Sequence, residues 1–394
     1  MKSPKIRFKG FDGDWEQRKL GEILIGLQNN TLSRADLSNE TGVAKNVHYG
    51  DVLIKFGEVL DVSKEKLPMI SDESILSKYK SSFLQNGDII IADTAEDSTV
   101  GKCSEIAGLN DEIVLSGLHT IPYRPIEKFA SGYLGYYLNS SAYHNQLIPL
   151  MQGIKVTSIS KSAMQDTDIV YPKSVEEQGK IGDYFQSLDN LITLHQKKCE
   201  QLTILKKYML QKMFPQNGSD KPEIRFDGFT DDWEQRKLGE VFQEYSEKNH
   251  PELPALTIIQ GGGTVLRDES DRNLQYDKSS LSGYKMVCED DFIVHLRSFE
   301  GGLEKSNHNG LISPAYHTFH GDNVDSRFYY PYFRSYEFIK HKLVPHVYGI
   351  RDGRSIDIDG MKTIEIPWTS YGEQKKIGDY IESLDHLITL HQRK

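Results

Sequence analysis

Apolar side chains recur alternately four and three residues apart over a long stretch near the middle of the chain. This heptad spacing places one apolar face along a helix, and it predicts a helix from about residue 175 to residue 214. Such a helix is about 58 Å long. An apolar face of this kind is typical of packing against a core or a partner helix rather than of catalysis. The positions on the face are Ile181, Phe185, Leu188, Ile192, His195, Cys199, Leu202, Lys206, Met209 and Met213.

Two blocks of the sequence occur twice. Ile6 to Ile23 matches Ile224 to Val241 at 14 of 18 positions, and Glu177 to Lys198 matches Glu373 to Lys394 at 17 of 22. Between these blocks the two halves look unrelated, so the chain is a duplicated frame around two different inserts. The second copy of the helix block repeats the apolar face with Ile377, Ile381, Leu384, Ile388 and His391.

Two similar helices in one chain predict an antiparallel pair with an approximate two-fold axis and with the inserts at opposite ends. The histidines at position 195 and position 391 are expected to pack or hydrogen-bond rather than to bind metal. The first helix continues about 16 residues past Lys198, whereas the second stops with the sequence at Lys394. Either the chain is cut short or the extension of the first helix packs against another partner.

The inserts contain short apolar runs bounded by Gly, Asn or Asp, which are typical of strands. Helices are predicted near residues 128–147 and 326–343. Each insert is therefore predicted to be an α+β domain of about 150 residues. The apolar runs are Asp88 to Ala92, Asp168 to Pro172, Leu256 to Ile259, Asp291 to His295 and Thr363 to Pro367. The predicted boundaries are 1–172 for the first domain, 173–215 for the first helix, 216–368 for the second domain and 369–394 for the second helix.

Composition and charge narrow the class of protein. The 394 residues are 38% hydrophobic, which is typical of a soluble globular protein. No run of 18 apolar residues and no signal peptide occurs, so we expect a cytoplasmic protein without membrane contact. Cys103, Cys199 and Cys288 lie far apart, which indicates neither a disulfide framework nor a zinc site. The formal net charge of −10, taken alone, argues against a nucleic-acid partner.

The usual catalytic motifs do not occur in the sequence. There is no P-loop, GxGxxG, GxSxG or HExxH motif, and no Asn-Pro-Pro-aromatic motif of amino-methyltransferases. We interpret the acidic residues Glu176, Glu177, Asp231, Asp232 and Glu234 as helix caps and solvated groups. The sequence therefore predicts no catalytic residue, no metal and no cofactor in this chain.

Basic and hydroxyl side chains gather shortly before the closing strand of each insert. Residues 152–161 (QGIKVTSISK) contain two lysines, four Ser or Thr and no acid. Residues 339–354 (IKHKLVPHVYGIRDGR) contain four Lys or Arg against one Asp. Because such side chains can contact phosphates and base edges, both segments are candidate DNA contacts. For the first segment, an ordinary polar loop is the alternative.

The whole pattern resembles a known family. The segments EEQGKIGDYFQSLDNLI and GEQKKIGDYIESLDHLI, flanking two dissimilar domains, are similar to those of the specificity subunit of type I restriction-modification enzymes. Inside the inserts, NGDIIIADTAEDSTVGK, DDFIVHLRSFEGGLEKS, KVTSISKSAM and SPAYHTF resemble segments of target recognition domains. The resemblance covers nearly the whole chain, and its specific part is the helix block.

This resemblance implies a fold and a set of partners. Each insert would be a target recognition domain for one half of a bipartite double-stranded DNA site, and the helices would set the spacer between the halves. Two modification subunits, which bind S-adenosylmethionine and methylate adenine, would dock on the chain. Restriction subunits with a motor and a nuclease would join them and use ATP and Mg²⁺. This chain would be non-catalytic.

Particular residues follow from charge, placement and the heptad spacing. The expected DNA contacts are Lys155, Thr157, Ser158, Lys161, Arg297, Tyr348, Arg351 and Arg354. The expected helix-packing residues are Ile181, Phe185, Leu188, Ile192, Leu202, Met209, Ile377, Ile381, Leu384 and Ile388. Two alternatives stay open. One is a scaffold that joins protein subunits without contacting DNA, and the other is an enzyme with an unrecognised site.

Overall fold

The computed structural model describes residues 4–216, 219–269, 278–295, 297–349 and 354–392. The chain forms two compact units, Met1–Ile192 and Thr193–Lys394. The division falls inside the long central helix.

The first unit consists of short strands and short helices, followed by the start of the long helix. Its strands are β1 (Glu16–Lys19), β2 (Leu24–Gly26), β3 (Ala44–Val47), β4 (Val59–Asp61), β5 (Met69–Ile70), β6 (Ile89–Ala92), β7 (Thr94–Ala95), β8 (Cys103–Ala107), β9 (Val114–Ser116), β10 (Thr120–Pro125), β11 (Thr157–Ser158) and β12 (Asp168–Tyr171). Its helices are α1 (Leu20–Ile23), α2 (Tyr49–Ile54), α3 (Ser74–Tyr79), α4 (Tyr133–Asn139), α5 (Ser141–His144), α6 (Lys161–Gln165) and α7 (Val175–Lys212), which continues into the second unit.

A five-stranded sheet in the order β2-β10-β6-β8-β4 lies at the centre of the first unit. All four residues of β6 are buried. Ile89 and Ile91 pack in one core with residues of α4 and α5, whereas Ile90 and Ala92 pack in another with residues of α2. Successive side chains of a strand point to opposite faces, so a sheet covered on both faces needs an unbroken apolar strand. This explains the sequence Ile-Ile-Ile-Ala.

The second unit repeats this mixture of elements. Its strands are β13 (Glu234–Lys237), β14 (Gln243–Tyr245), β15 (Leu256–Ile259), β16 (Gly263–Leu266), β17 (Lys285–Val287), β18 (Phe292–Val294), β19 (Glu304–Lys305), β20 (Gly310–Ile312), β21 (His317–His320), β22 (Val347–Tyr348), β23 (Ser355–Ile356) and β24 (Glu365–Trp368). Its helices are α8 (Leu238–Val241), α9 (Ser298–Gly301), α10 (Ser326–Phe333), α11 (Ile358–Lys362) and α12 (Tyr371–Gln392).

The central sheets of the two units share one strand order. The sheet of the second unit runs β14-β21-β18-β19, which matches β2-β10-β6-β8 in the first unit. In each unit the first shared block pairs with the closing strand of the insert, β1 with β12 and β13 with β24. Inserts without recognisable sequence similarity thus adopt the same sheet on the same frame.

The five predicted strand runs are confirmed, and so is the long helix. The two helical segments predicted in the inserts are each interrupted. Ser140 is extended and separates α4 from α5. In the second insert α10 contains Pro331 and is followed by a π-helix, Glu337–Leu343. Proline removes a backbone donor and crowds the preceding turn, so it favours such a change of helix geometry.

Within the second unit, the part of α7 after Ile192 runs antiparallel to α12. Nδ1 of His195 lies 2.8 Å from Nδ1 of His391, and the Lys206 ammonium lies 2.5 Å from the Asp385 carboxylate. The contact partners on α12 have lower residue numbers as the residue numbers on α7 increase, so the two helices are antiparallel. Six of the expected packing residues are buried or half-buried: Leu202, Met209, Ile377, Ile381, Leu384 and Ile388. Ile377 and Ile381 lie in the core of the second unit, and Met209 packs against that core.

The four expected packing residues in the first half of α7 behave differently. Ile181 packs partly buried against the core of the first unit. Phe185, Leu188 and Ile192 are exposed, by 44%, 37% and 53%. Phe185 stacks with Tyr136 of the first unit, and the packing of these three residues against a second helix stays a prediction.

A buried ion pair joins the two repeated blocks of the first unit. The guanidinium of Arg7 donates to both carboxylate oxygens of Glu177, over 2.6 and 2.8 Å, and the indole of Trp15 donates to the same carboxylate over 3.3 Å. The adjacent Gln178 accepts from the backbone N–H of Ala130 and donates to the carbonyl of Pro172. The first turn of α7 is thereby fixed to the N-terminal block, to the insert and to the residue after β12.

The second unit reproduces this arrangement with the equivalent residues. Arg225 donates to both oxygens of Glu373 over 2.6 and 2.8 Å, and the Trp233 indole donates to it over 3.1 Å. Gln374 accepts from the backbone of Asp325 and donates to Thr369. We call each arrangement the Arg-Trp-Glu clamp. Its members lie in the two repeated blocks, which gives a physical reason for the repetition.

The clamp corrects one expectation from the sequence. Glu177 is 1% exposed and is paired, so it is not a solvated or capping carboxylate. Asp231, Asp232 and Glu234 lie before or at the start of β13 rather than at the start of a helix. The expectation for Glu177 was wrong because a carboxylate in a first helical turn normally interacts with the helix dipole. Its partner Arg7 lies 170 residues away, and the local sequence does not indicate it.

A second buried carboxylate supports the insert of the first unit. Glu105 in β8 accepts hydrogen bonds from the backbone N–H groups of Gly132 and Gly135, at the start of α4. Burial raises the pKa of Glu105 to about 7, although these donors act in the opposite direction. In the second unit Glu304, in the corresponding strand β19, pairs with Arg334 and Tyr330. The corresponding strands thus each carry a buried carboxylate, and among the described residues only that of the second unit has a cationic partner.

We expect Glu373→Gln to destabilise the second unit by about 3 kcal/mol, because it leaves the Arg225 guanidinium without its buried carboxylate. Urea unfolding followed by tryptophan fluorescence measures this, since Trp233 is one of the groups that contact Glu373. Glu200→Gln, at an exposed position of α7, is the matched control. Equal unfolding free energies for the two variants would contradict the role of the clamp.

We also expect the stability of the first unit to depend on Glu105 and pH. Its pKa is higher when folded than when unfolded, so the folded state binds more protons between these values and loses stability as the pH rises. From pH 4.5 to 7 the loss is about 3 kcal/mol. Hydrogen exchange of the β6 and β8 amides should show this dependence in the wild type and in Glu40→Gln, at an exposed site, and much less in Glu105→Gln. If Glu105→Gln shows the same pH dependence as the wild type, Glu105 is not its cause.

Candidate nucleic-acid interface

In the first unit, polar side chains gather where β6 ends and β10 begins. The Thr94 hydroxyl donates to the Asp93 carboxylate over 2.8 Å, and Nδ1 of His119 lies 3.3 Å from the same carboxylate. The ring of Tyr49, at the start of α2, packs edge-on against His119. We call Tyr49, Asp93, Thr94 and His119 the first corner.

The backbone of the first corner carries strain. His119 has a φ of 55°, in the left-handed region that side chains other than glycine rarely adopt. It is held there by the hydrogen bond from the Asp93 N–H to its carbonyl. Residues in such conformations are concentrated at functional sites, because only a surrounding structure with a use for them stabilises them. The imidazole, about half exposed, faces solvent beside Thr94.

A short hairpin projects next to this corner. Gln152 and Ser158 exchange two backbone hydrogen bonds of 2.9 and 2.8 Å, and β11 pairs with β7. The Ile159 N–H donates to the carbonyl of Asp93, which attaches the hairpin to the corner. We call residues 152–158 the first hairpin. It belongs to a small β-ribbon, and β-ribbons of DNA-binding proteins enter either the major or the minor groove.

The structure places three of the four predicted DNA contacts of the first insert on this hairpin. Lys155 and Ser158 are exposed and Thr157 is half-buried. Lys161, at the start of α6, instead turns inward, where its ammonium donates to the carbonyl of Leu27 and lies over the Tyr123 ring. Burial lowers the pKa of Lys161. The Lys161 ammonium therefore contacts groups of the first unit itself.

The second unit has a polar corner at the equivalent end of its sheet. A shallow pocket there is lined by His295, His317 and Arg354, together with the end of β23. We call these three residues the second corner. Nδ1 of His317 lies 2.7 Å from the Glu244 carboxylate. The first corner combines a carboxylate, two hydroxyls and an imidazole, whereas the second combines two imidazoles and a guanidinium.

Electrostatics set the charge of the second corner. Burial opposes ionisation of Glu244, but hydrogen bonds from Lys362 and His317 hold its pKa below the usual value. Burial lowers the pKa of His295, which favours its neutral form. The buried Nε2 of His295 has no hydrogen-bond partner among the described residues. A buried polar atom of this kind is unusual and marks a place where a ligand group or water can bind.

The predicted contacts of the second insert lie around this corner. Arg297 is exposed, and its backbone N–H donates to Nδ1 of His295. Tyr348 is 59% exposed on β22, which pairs with β23 as a second hairpin. The Arg354 guanidinium lies over the Phe299 ring at 4.5 Å and 3.8 Å from Glu300, so it is engaged within the unit. Arg351 lies outside the described residues.

Six residues of the two corners were not predicted from the sequence as site residues: Tyr49, Asp93, Thr94, His119, His295 and His317. A local signal for some of them exists. Asp93 and His295 each follow directly after a fully buried apolar strand, where a polar residue leaves the core at the sheet edge. His119 and Tyr49 carry no such signal, because only the fold brings them to Asp93.

Both corners present hydrogen-bonding groups at strand ends of their sheets. Among the described residues, no three His, Cys, Asp or Glu side chains are placed to hold a metal ion. The groups present are hydrogen-bond donors and acceptors on exposed hairpins and strand ends. Such groups can form hydrogen bonds with a binding partner. In the described part of the chain, no helix is both long and apolar enough to cross a membrane.

The comparisons with known proteins identify relatives of this fold. Residues 12–203 match the family model described as the type I restriction modification DNA specificity domain. The matched stretch covers two thirds of the first repeated block, the first insert and most of α7. These residues therefore belong to the family of type I restriction-modification DNA specificity domains.

The whole chain is similar to specificity subunits of type I restriction-modification enzymes, as predicted from the sequence. It is 24% identical over 400 residues to the MjaX specificity subunit of Methanocaldococcus jannaschii, which covers 97% of this chain and 89% of the relative. It is 24% identical over 262 residues to the MjaVIII specificity subunit of that organism, covering 62% of this chain and 61% of the relative. The crystal structure of the S subunit from M. genitalium matches with a TM-score of 0.55 and 12% identity, over 99% of this chain and 94% of that one, and so shows the fold.

Proposed function

We propose that this chain is the non-catalytic DNA-specificity subunit of a type I restriction-modification complex, in which each unit recognises one half of a bipartite DNA site. One observation carries the proposal. The two units share a sheet order and a clamp but carry different polar corners and hairpins at the same end of the sheet. A common frame with different contact groups suits two half-sites of different sequence.

The chemistry of the corners supports recognition of different bases. Asp93 and Thr94 can accept hydrogen bonds, and carboxylates accept from the amino group of cytosine. The second corner offers imidazoles beside Arg354, and arginine donates to guanine. Each hairpin also has a predicted DNA contact on its strands, Thr157 and Ser158 in the first unit and Tyr348 in the second. Hydroxyl groups of this kind suit phosphates as well as bases.

The formal charge of −10 needs an explanation in this proposal. The pairs that Glu177, Glu373 and Glu304 form with arginine contribute no net charge, so the excess of acidic groups lies elsewhere on the chain. Lys155 and Arg297 are exposed beside the corners. Further positive charge would come from the modification subunits, so we expect high affinity from the complex rather than from this chain alone.

The first half of α7 offers a surface for those subunits. Its exposed apolar residues form an almost continuous stretch, and the equivalent residues of α12, Ile381 and Leu384, are buried. Exposed apolar patches of this kind mark protein-protein contacts. The exposed residues are Tyr184, Phe185, Leu188, Leu191, Ile192 and Leu194. In this proposal two modification subunits with S-adenosylmethionine dock on the helices, restriction subunits with ATP and Mg²⁺ join them, and the helices set the spacer.

The net negative charge favours a second candidate, a scaffold that joins subunits without contacting DNA. The sequencing of methylated adenines in cells that express the complex, with and without this chain, separates the two. We expect a bipartite methylated motif that requires this chain. Methylation of the same motif without it would support the scaffold. Incorporation of methyl groups by the pure chain would show instead that it is an enzyme.

Exchange of the second insert tests whether the two units act independently. Residues 243–367 replaced by the corresponding segment of a relative should change one half of the methylated motif and leave the other unchanged, because each unit has its own core and corner. Methylome sequencing measures this. A change in both halves, or in neither, would contradict independent recognition.

Lys155→Ala should weaken DNA binding by the complex without changing the motif, because a lysine on an exposed hairpin contacts phosphate. Log K falls as log salt rises, and loss of one phosphate contact makes this slope shallower by about 1. Titrations at several salt concentrations measure the slope. Lys128→Ala, exposed beyond the opposite end of β10, is the control and should leave it unchanged. An unaltered slope in Lys155→Ala would show that the hairpin is not part of the DNA interface.

A further inference from the structure

The tip of the first hairpin presents a fully exposed isoleucine. Ile154 is 101% exposed, and Val156 two residues later is 53% exposed. Single exposed apolar residues are common on protein surfaces, so exposure alone carries no meaning. What distinguishes Ile154 is how the backbone holds it.

Backbone hydrogen bonds fix the residues on both sides of the hairpin tip. Gln152 and Ser158 exchange two backbone hydrogen bonds, and the strand that follows is paired with β7. Gly153 has a φ of 116°, and a Cβ at this position would lie 2.0 Å from the carbonyl oxygen of Val156. Only glycine fits there. The backbone is therefore shaped so that Ile154 points away from the core at the end of an anchored turn.

The same three-residue pattern occurs in the second insert, although the inserts otherwise look unrelated. Gly153-Ile154-Lys155 in the first is matched by Gly349-Ile350-Arg351 in the second. Gly349 also has a positive φ, of 87°, and directly follows β22 of the second hairpin. For the residues after Gly349 the match rests on sequence alone. An apolar residue followed by a cation is thus common to two units whose corners differ.

A feature shared by both units suits a contact that does not depend on base sequence. Isoleucine cannot hydrogen-bond to phosphates or base edges. It can touch a thymine methyl group, but that contact would require thymine in both half-sites. The remaining apolar environment in a duplex lies between stacked base pairs, where isoleucine is among the side chains that act as wedges. The following Lys155 is then close to the backbone phosphates, which it can neutralise.

We propose that Ile154 is an apolar wedge that inserts between two base pairs of the first half-site. The proposal rests on the proposed function, since it requires that each unit binds duplex DNA. It adds local unstacking of the duplex to hydrogen bonding by the corners. Insertion separates two base pairs at a step fixed by the geometry of the hairpin rather than by base identity.

The experiment uses the chain in complex with its modification subunits and a duplex carrying the motif found by methylome sequencing. The half-site of the first unit is the one that exchange of residues 243–367 leaves unchanged. 2-Aminopurine replaces, in turn, each purine of that half-site except the methylated adenine, which the modification subunit itself takes out of the stack. Unstacking raises the fluorescence of 2-aminopurine.

We expect wild-type complex to raise the fluorescence at one step, and Ile154→Ala to remove about half of that rise or more. Ile154→Leu, which keeps an apolar side chain of similar size, should retain it. Ile126→Ala is the matched control, because Ile126 is 64% exposed in the same unit just beyond the opposite end of β10. It should behave as the wild type.

Three results would overturn the wedge. The first is a rise in fluorescence that is equal in Ile154→Ala and wild type. The second is an effect of Ile154→Ala that disappears when uracil replaces every thymine of the duplex, since this identifies a methyl contact. The third is failure of the wild-type complex to bind the motif, which overturns the proposed function itself. If the complex binds the unchanged motif but its fluorescence does not depend on Ile154, only the wedge is contradicted and the proposed function stands.

Discussion

The Arg-Trp-Glu clamp is the constraint on which the rest of the structure depends. In each unit it joins a block that precedes the insert to a helix that follows it, through a carboxylate that is 1% exposed. A buried carboxylate without its guanidinium is costly, so both blocks are needed together. The insert between them must start and end at fixed points, β1 beside β12 and β13 beside β24.

A frame fixed at its ends leaves the insert free to vary. The cores of the two units differ in composition: the second is rich in phenylalanine and tyrosine, and the first relies on isoleucine and leucine around β6. Both fill the same sheet order. Variation is greatest at the hairpins and strand ends, where side chains face solvent and are not constrained by packing. Change in the contact groups without loss of the fold is the property that a specificity protein needs.

Nearly identical helix sequences have different surroundings in the two units. Ile381 is 4% exposed and its counterpart Phe185 is 44% exposed, although both occupy the same heptad position. Heptad spacing specifies which face is apolar, but a neighbour must be present to bury it. The face on α12 is buried in the core of the second unit, whereas the face on the first half of α7 is exposed. One sequence block is thereby core in one place and surface in another.

The sequence by itself determined the elements whose signals are local or repeated. Heptad spacing predicted α7, apolar runs predicted the strands, and self-comparison showed the duplicated frame. It also placed Lys155, Thr157 and Ser158 on one segment, which the fold presents as a hairpin. Tertiary structure alone decided the pairing of Glu177 with Arg7, the inward turn of Lys161, and the meeting of Tyr49, Asp93 and His119. These contacts join residues tens to more than a hundred positions apart, and their stability comes from burial that a linear pattern does not record.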